Sequence, residues 1–107
     1  MPYLKNTQRA LLDPAIANLA KNVAYVARKI EEDDGNQRLA TVPGLANYTI
    51  TAFLLTLIDG QESCATYNAV IGVLESVKLE FYREHIAPYE NQKKFENGEV
   101  LAVKEPN

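Results

Sequence analysis

The sequence predicts an all-α protein, a small bundle of three main helices with a C-terminal helical extension. Apolar residues recur every three or four positions in three separate stretches, which is typical of helices with one buried face. Proline, glycine and acidic residues gather between these stretches. No internal repeat or interdomain linker interrupts the 107 residues, so we expect one α-helical domain over residues 1–107.

The first helix is predicted from residue 14 to residue 32. Asp13 can accept hydrogen bonds from the free N–H groups of a helix start, and Pro14 fits the first helical position. Residues 1–12 are then expected to be an arm, and residues 31–44 a loop. The apolar stripe of this helix comprises Ile16, Leu19, Ala20, Val23, Val26, Ala27 and Ile30.

The second helix is predicted from about Leu45 to Ile58. Threonines lower the helix propensity of this segment, so a strand from Tyr48 to Leu55 is the competing prediction. The length and the 3.6-residue period favour a helix, which Asp59 and Gly60 would end. Its expected buried face comprises Ile50, Phe53, Leu54, Leu57 and Ile58.

The central helix is predicted from Thr66 to Ile86, with Ser63 or Thr66 as its N-cap, and we expect the rest of the chain to wrap around it. Gly72 lies inside it, where a close crossing by another helix would offset the cost of glycine. A further helical stretch begins at Pro88 and stops before Gly98, and residues 99–107 form a tail. The apolar stripe comprises Tyr67, Val70, Ile71, Leu74, Val77 and Phe81, with Tyr82 and Ile86 at its border.

Charge and composition exclude several functional classes. The net charge is −3, which argues against general nucleic-acid binding because such proteins neutralise phosphates with basic patches. One cysteine, Cys64, excludes an intrachain disulfide framework and a cysteine-based zinc site. The chain has no signal-peptide pattern and no long apolar run, so we expect a soluble cytoplasmic protein without membrane contact.

Catalytic, metal and cofactor residues are not expected. His85 is the single histidine, and we interpret it as a helix-end residue that favours the helix dipole. Cys64 lacks a neighbouring histidine or CxxC and reads as an incidental thiol. Glu80 and Glu84 match solvated ion pairs on a helix surface, and a carboxylate enzyme is the least favoured class.

Tyrosines are the most informative feature for binding. The chain has six tyrosines, three phenylalanines and no tryptophan. Rings supply rigid contact area, while Arg83, Lys78 and Lys93 could meet phosphates, so a nucleotide fits this set. The alternative is that the tyrosines border the core and form hydrogen bonds at its edge.

Four segments resemble a family of small uncharacterised proteins encoded in bacteriophage genomes and related mobile elements. They are YNAVIGVLE (67–75), VKLEFYR (77–83), APYE (87–90) and ENG (96–98), and MPYL (1–4) and NYTI (47–50) are similar too. The resemblance covers most of the chain, is strongest from 67 to 98, and fails from 20 to 44. It implies a phage or prophage origin in a host cytoplasm and no settled activity.

The sequence thus leads to two functional hypotheses. The first is a homo-oligomeric binding protein whose subunit junctions hold a small anionic or nucleotide-derived ligand, as in phage proteins that sequester bacterial immune signals. The second is an interaction module that binds a host or phage protein. The predicted ligand-binding residues are Asn47, Tyr48, Asn68, Lys78, Tyr82, Arg83 and Tyr89. Glu75, Glu90 and Lys93 complete the expected functional surface.

Overall fold

Helices make up all the regular structure in the described part of the chain. A computed structural model describes residues 4–34 and 38–98. The elements are α1 (Asn6–Asp34), α2 (Arg38–Leu57), α3 (Cys64–Phe81), a π-turn (Tyr82–Ile86) and α4 (Ala87–Asn97). The all-α prediction is confirmed, the third helix being joined to the C-terminal extension, and the competing strand at 48–55 is wrong. The predicted tail, 99–107, lies outside the described residues.

The start of α1 lies well before the predicted position. The Lys5 backbone N–H donates to Gln8 Oε1 over 2.9 Å, which is one half of a capping box. The helix therefore begins at Asn6, and the predicted start at Asp13 is wrong. Pro14 lies inside the helix, where it leaves the carbonyl of Ala10 without its usual N–H donor.

Helix α2 also begins earlier than the sequence predicts. It starts at Arg38 and contains Pro43, which had been expected in a loop together with Gly44. Pro43 is the sixth residue of the helix, and its missing N–H removes one hydrogen bond, to the carbonyl of Leu39. The first four N–H groups of any helix lack intrahelical partners, so this loss comes just after a turn that is already incompletely bonded. A proline this close to a helix start is tolerated.

The N-terminal unit, Met1–Glu62, is built on the pairing of α1 with α2. Leu19 and Phe53 line the same hollow, and Val26 and Leu45 line another, so the two helices run antiparallel. Ala27 is the one buried side chain among the residues that the structure describes. The half-buried side chains of the two helices, among the described residues, are Val23, Ala24, Ile30, Glu31, Thr41, Val42, Leu45, Ala46, Thr49, Ala52 and Leu54.

The C-terminal unit, Ser63–Asn107, is one helical run from Cys64 to Asn97 in its described residues. Ser63, one of the two predicted caps, caps its start, since its Oγ accepts from the Thr66 N–H at 3.0 Å. Gly98 ends it with φ +87°, a left-handed conformation suited to glycine. Within this unit, no described atom outside the helix's own backbone lies within 4 Å of the position that a Cβ would take at Gly72.

The π-turn is the irregular part of this run, and Pro88 explains it. The Tyr82 N–H still donates to the carbonyl of Lys78, four residues back, whereas the Ala87 N–H donates to Tyr82, five residues back. In α-geometry the Pro88 ring would clash with the carbonyl of Glu84. Widening the preceding turn relieves that clash, so the helix continues instead of restarting at Pro88.

Candidate functional site

The predicted ligand-binding residues fall in both units. Asn47 and Tyr48 lie on α2 of the N-terminal unit, and the others lie along the C-terminal helical run. All seven side chains are exposed. The members from the C-terminal run are Asn68, Lys78, Tyr82, Arg83 and Tyr89.

Carboxylates already neutralise the two cations expected to meet phosphates. Arg83 pairs with Glu80 and, at 3.8 Å, with Glu84, while Lys78 Nζ lies 3.5 Å from Glu75. Exposed pairs one helical turn apart contribute about 0.3–0.5 kcal/mol each. These carboxylates would repel an anionic ligand, so the neighbourhood of Arg83 and Lys78 is less basic than the two cations alone suggest.

Tyr82 and Glu90 form the longest-range side-chain bond of the described C-terminal unit. The Tyr82 hydroxyl donates to Glu90 Oε1 over 2.8 Å. This hydrogen bond, and then the negative charge of Glu90, raise the pKa of Tyr82 above its ordinary value of 10.0. The two residues are eight apart, and the π-turn lies between them.

A small hollow beside Tyr89 is lined by two lysines and one glutamate. Lys93 Nζ lies 5.6 Å from the centroid of the Tyr89 ring, a cation–π distance, and 3.3 Å from Glu96 Oε2. The structure gives Lys94 no ion pair among the described residues. The hollow has a volume of about 260 Å³ and is lined by Tyr89, Glu90, Lys93, Lys94, Asn97 and Gly98.

The N-terminal unit carries an open apolar groove that sequence reasoning missed. Thr49 and Thr56 line it, and their Oγ1 atoms donate to the carbonyls of Leu45 and Ala52, both over 2.7 Å. With the hydroxyls bonded along the helix, the threonines present methyl groups, although the sequence marks them as polar. The groove, of about 500 Å³, is lined by Leu19, Tyr48, Thr49, Ala52, Phe53, Thr56 and Leu57.

Tyr48 borders a second hollow on the same helix. That hollow, of about 540 Å³, is open and also lined by Asn47 and Thr51. The Thr51 hydroxyl lies 3.5 Å from Asn47 Oδ1, which is a weak donor contact. The predicted pair Asn47 and Tyr48 therefore shares one surface, and the described residues that line the three hollows bordered by Tyr48 include no cation.

The apolar stripe of α3, predicted to be buried, is largely exposed. Val70 is half-buried, and the other members exceed a third of their full accessibility. No side chain in the described C-terminal unit is buried. Within the described C-terminal unit, the stripe therefore has no core to point into. The exposed members are Tyr67, Ile71, Leu74, Val77 and Phe81, with Tyr82 and Ile86 at the border.

His85 and Cys64 occupy places that the sequence did not predict. His85 lies within the π-turn, its ring centroid 5.4 Å from that of Phe81, so it is not at a helix end. Cys64 is the first residue of α3 and is exposed. The described residues contain no group of three or more His, Cys, Asp or Glu side chains placed to hold a metal ion.

Comparison with known proteins gives a family match. A family model described as a domain of unknown function matches residues 1–100. Neither the curated proteins nor the solved structures gave a match. Within the described residues, no helix has the length and hydropathy needed to span a membrane.

Proposed function

Because the chain belongs to the DUF6899 family, a domain of unknown function, we propose its function from its own side chains. In this proposal the protein is a homo-oligomeric helical module that binds other proteins through exposed apolar helix faces. The proposal includes no catalysed reaction.

The near absence of a core carries this proposal. Ala27 alone is buried among the described side chains, while many leucine, isoleucine, valine and aromatic side chains are exposed. Each square ångström of apolar surface removed from water stabilises a protein by about 25 cal/mol. Large contiguous apolar patches are rare on monomers and mark interaction surfaces. A partner that covers these faces would supply the stabilisation that the single chain lacks.

The spacing of the α3 residues indicates what kind of partner covers them. Five of them alternate at intervals of three and four residues, the heptad pattern of helices that pair in a coiled coil. We call this set the apolar seam. A second copy of the chain carries the same seam, so a symmetric homo-oligomer buries it in both copies. The apolar seam comprises Tyr67, Val70, Leu74, Val77 and Phe81.

A matched pair of variants tests the homo-oligomer. Val77 lies on the seam and is 54% exposed, whereas Leu79 lies on another face of α3 and is 56% exposed. By light scattering coupled to size exclusion, the native protein should be an oligomer, Val77→Asp a monomer, and Leu79→Asp an oligomer. A monomeric native protein, or equal effects of the two substitutions, would contradict the proposal.

The oligomer would then bind a protein partner through its remaining apolar surface. The groove beside Leu19 and Phe53 is a candidate, since helix-in-groove recognition uses such surfaces. The proposed source is a phage or prophage, and the partner a host or phage protein in the cytoplasm, on the resemblance of residues 67–98. Phe53→Asp should abolish stoichiometric capture of that partner while the oligomer persists, and Lys21→Asp serves as its control. Recovery of no partner by the native protein would count against this part.

The hollow beside Tyr89 favours a second candidate function, the sequestration of a small anionic or nucleotide-derived ligand. Tyr89 would stack on a base, and Lys94, together with Lys93, would meet phosphate. Nucleotides should raise the unfolding temperature of the native protein and of Lys21→Gln, but not of Lys94→Gln. If no nucleotide shifts the native protein, this candidate fails and the protein-binding function stands.

A further inference from the structure

The π-turn changes which side chains of α4 share a face with the apolar seam. An α-helix repeats its faces about every seven residues, and a π-turn inserts one additional residue. Two residues on the same face are seven positions apart in an α-helix, and they are therefore eight positions apart across Tyr82–Ile86. The hydrogen bond between Tyr82 and Glu90, at a separation of eight, fits this shift.

Counting across the inserted residue extends the seam onto α4. Tyr67, Leu74 and Phe81 are seven apart, and the next position in that row, eight residues on, is Tyr89. Without the insertion the row would reach Pro88, and Phe95 would follow it seven residues later. Tyr89 is 63% exposed and Phe95 is 87% exposed, so both rings are open to a partner.

We propose that the π-turn sets the register of the self-association surface, placing Tyr89 in line with the apolar seam, and that the occupant of the extended seam is a second copy of this chain. This rests on the proposed homo-oligomer and adds where its interface runs. Phe95, the most exposed large apolar side chain described, lies outside it.

The available area agrees with a second copy as the occupant. Five side chains on the extended seam are each more than a third exposed. At roughly 100 Å² apiece, against about 150–250 Å² for a whole aromatic residue, they offer about 500 Å² per copy. Flanking residues such as Ile86 bring this toward the roughly 800 Å² per partner of a standard interface. The five are Tyr67, Leu74, Val77, Phe81 and Tyr89.

The insertion itself favours a copy over an unrelated helix. A helix with an uninterrupted heptad drifts out of phase with a partner that contains an extra residue. A second copy carries the same insertion at the same position, so the seam side chains of the two copies stay in register both before and after the π-turn. Pro88 enforces the insertion in each copy.

Two aromatic residues of α4 provide the test, which uses the full chain and analytical ultracentrifugation. Tyr89→Ser should raise the dissociation constant of the oligomer at least tenfold, and Phe95→Ser should leave it within twofold. The reverse order would overturn the register while leaving the homo-oligomer intact. A monomeric native chain would overturn both.

A second pair of variants tests the role of Pro88 itself. Pro88→Ala removes the ring that forces the wide turn, so it should increase helix content by circular dichroism yet weaken association at least tenfold. Deleting Glu84 in the Pro88→Ala chain removes the additional residue and returns Tyr89 to the seam. Restored association supports the proposal, and a double variant as weak as Pro88→Ala overturns it.

Discussion

Ser63 fixes where the C-terminal helical run begins. Its extended backbone and its side-chain bond to the Thr66 N–H satisfy a donor that has no partner within the helix. The Ser63 hydroxyl also lies 3.0 Å from Thr66 Oγ1, so the cap joins two side chains. The sequence offered both residues as caps, and the geometry selects Ser63.

Removing this cap should destabilise α3. Ser63→Ala is expected to lower the free energy of unfolding by about 1 kcal/mol, the usual cost of losing an N-cap. Ser63→Asp keeps an acceptor near the helix N-terminus and should retain most of that stability. Urea denaturation followed by circular dichroism measures both. Equal losses in the two variants would show that the hydroxyl bond contributes nothing.

Tyr82 should titrate abnormally. Its bond to the Glu90 carboxylate holds its pKa above 10.0 in the folded protein. Because the folded pKa is the higher one, the interaction stabilises fully below pH 10 and its contribution disappears as the pH rises through the folded pKa. Ultraviolet titration of tyrosinate should show a pKa for Tyr82 that is raised in the native protein and falls in Glu90→Ala. The same change in Glu96→Ala would contradict this assignment.

At this scale, helical spacing predicts the ion pairs along the helix surface but not the contact between Tyr82 and Glu90. Pairs three residues apart, such as Glu75 with Lys78, follow from helical spacing alone. The pairing of Tyr82 with Glu90 does not, because it requires one inserted residue that no propensity scale indicates.

Helix boundaries were predictable where the capping chemistry is unambiguous. Ser63 and Gly98 mark the ends of the C-terminal run, and both act as expected. Asp13 with Pro14 is an equally strong start signal, yet the helix passes through it, because residues 6–12 are helix-compatible and Gln8 caps the chain upstream. A strong local signal was overridden by a weaker one placed earlier.

Gly72 lowers the helix propensity of α3, and no close contact within the described unit requires a glycine there. A Cβ there meets no described atom within 4 Å, so Gly72→Ala should stabilise the protein by up to about 1 kcal/mol. Gly98→Ala is the control, because φ +87° strains any side chain and the change should destabilise. Thermal unfolding of the two variants distinguishes them. A destabilised Gly72→Ala would mean that a partner approaches this backbone.

For the whole molecule, the sequence correctly predicted that apolar residues form stripes along the helices, but it did not predict that the stripe of α3 is largely exposed. Periodicity identifies an apolar face, but Val77 or Phe81 would look the same whether their own chain or a second copy covers them. The threonine-lined groove was hidden for a related reason, since Thr49 and Thr56 become apolar only after the helix binds their hydroxyls. The sequence shows which residues form a helix face, but it does not show what covers that face.

The stability of the molecule should depend on its concentration. If the seam is covered by a second copy, association stabilises the folded state by mass action, and the unfolding temperature rises with protein concentration. Scanning calorimetry at several dilutions should show this rise for the native chain and for Leu79→Asp. A concentration-independent native midpoint, equal to that of Val77→Asp, would contradict it.

The wide turn before Pro88 has a consequence for sequences of the same family. In this chain the interval from Phe81 to Tyr89 is eight residues, and the proline is what makes eight equivalent to seven. A relative without that proline would keep its aromatic row aligned only if its chain were one residue shorter there. One residue could thus be inserted or deleted in the middle of this helix, provided that the proline is gained or lost with it. In related sequences, the length of the interval between the two aromatic residues and the presence of the proline should therefore change together.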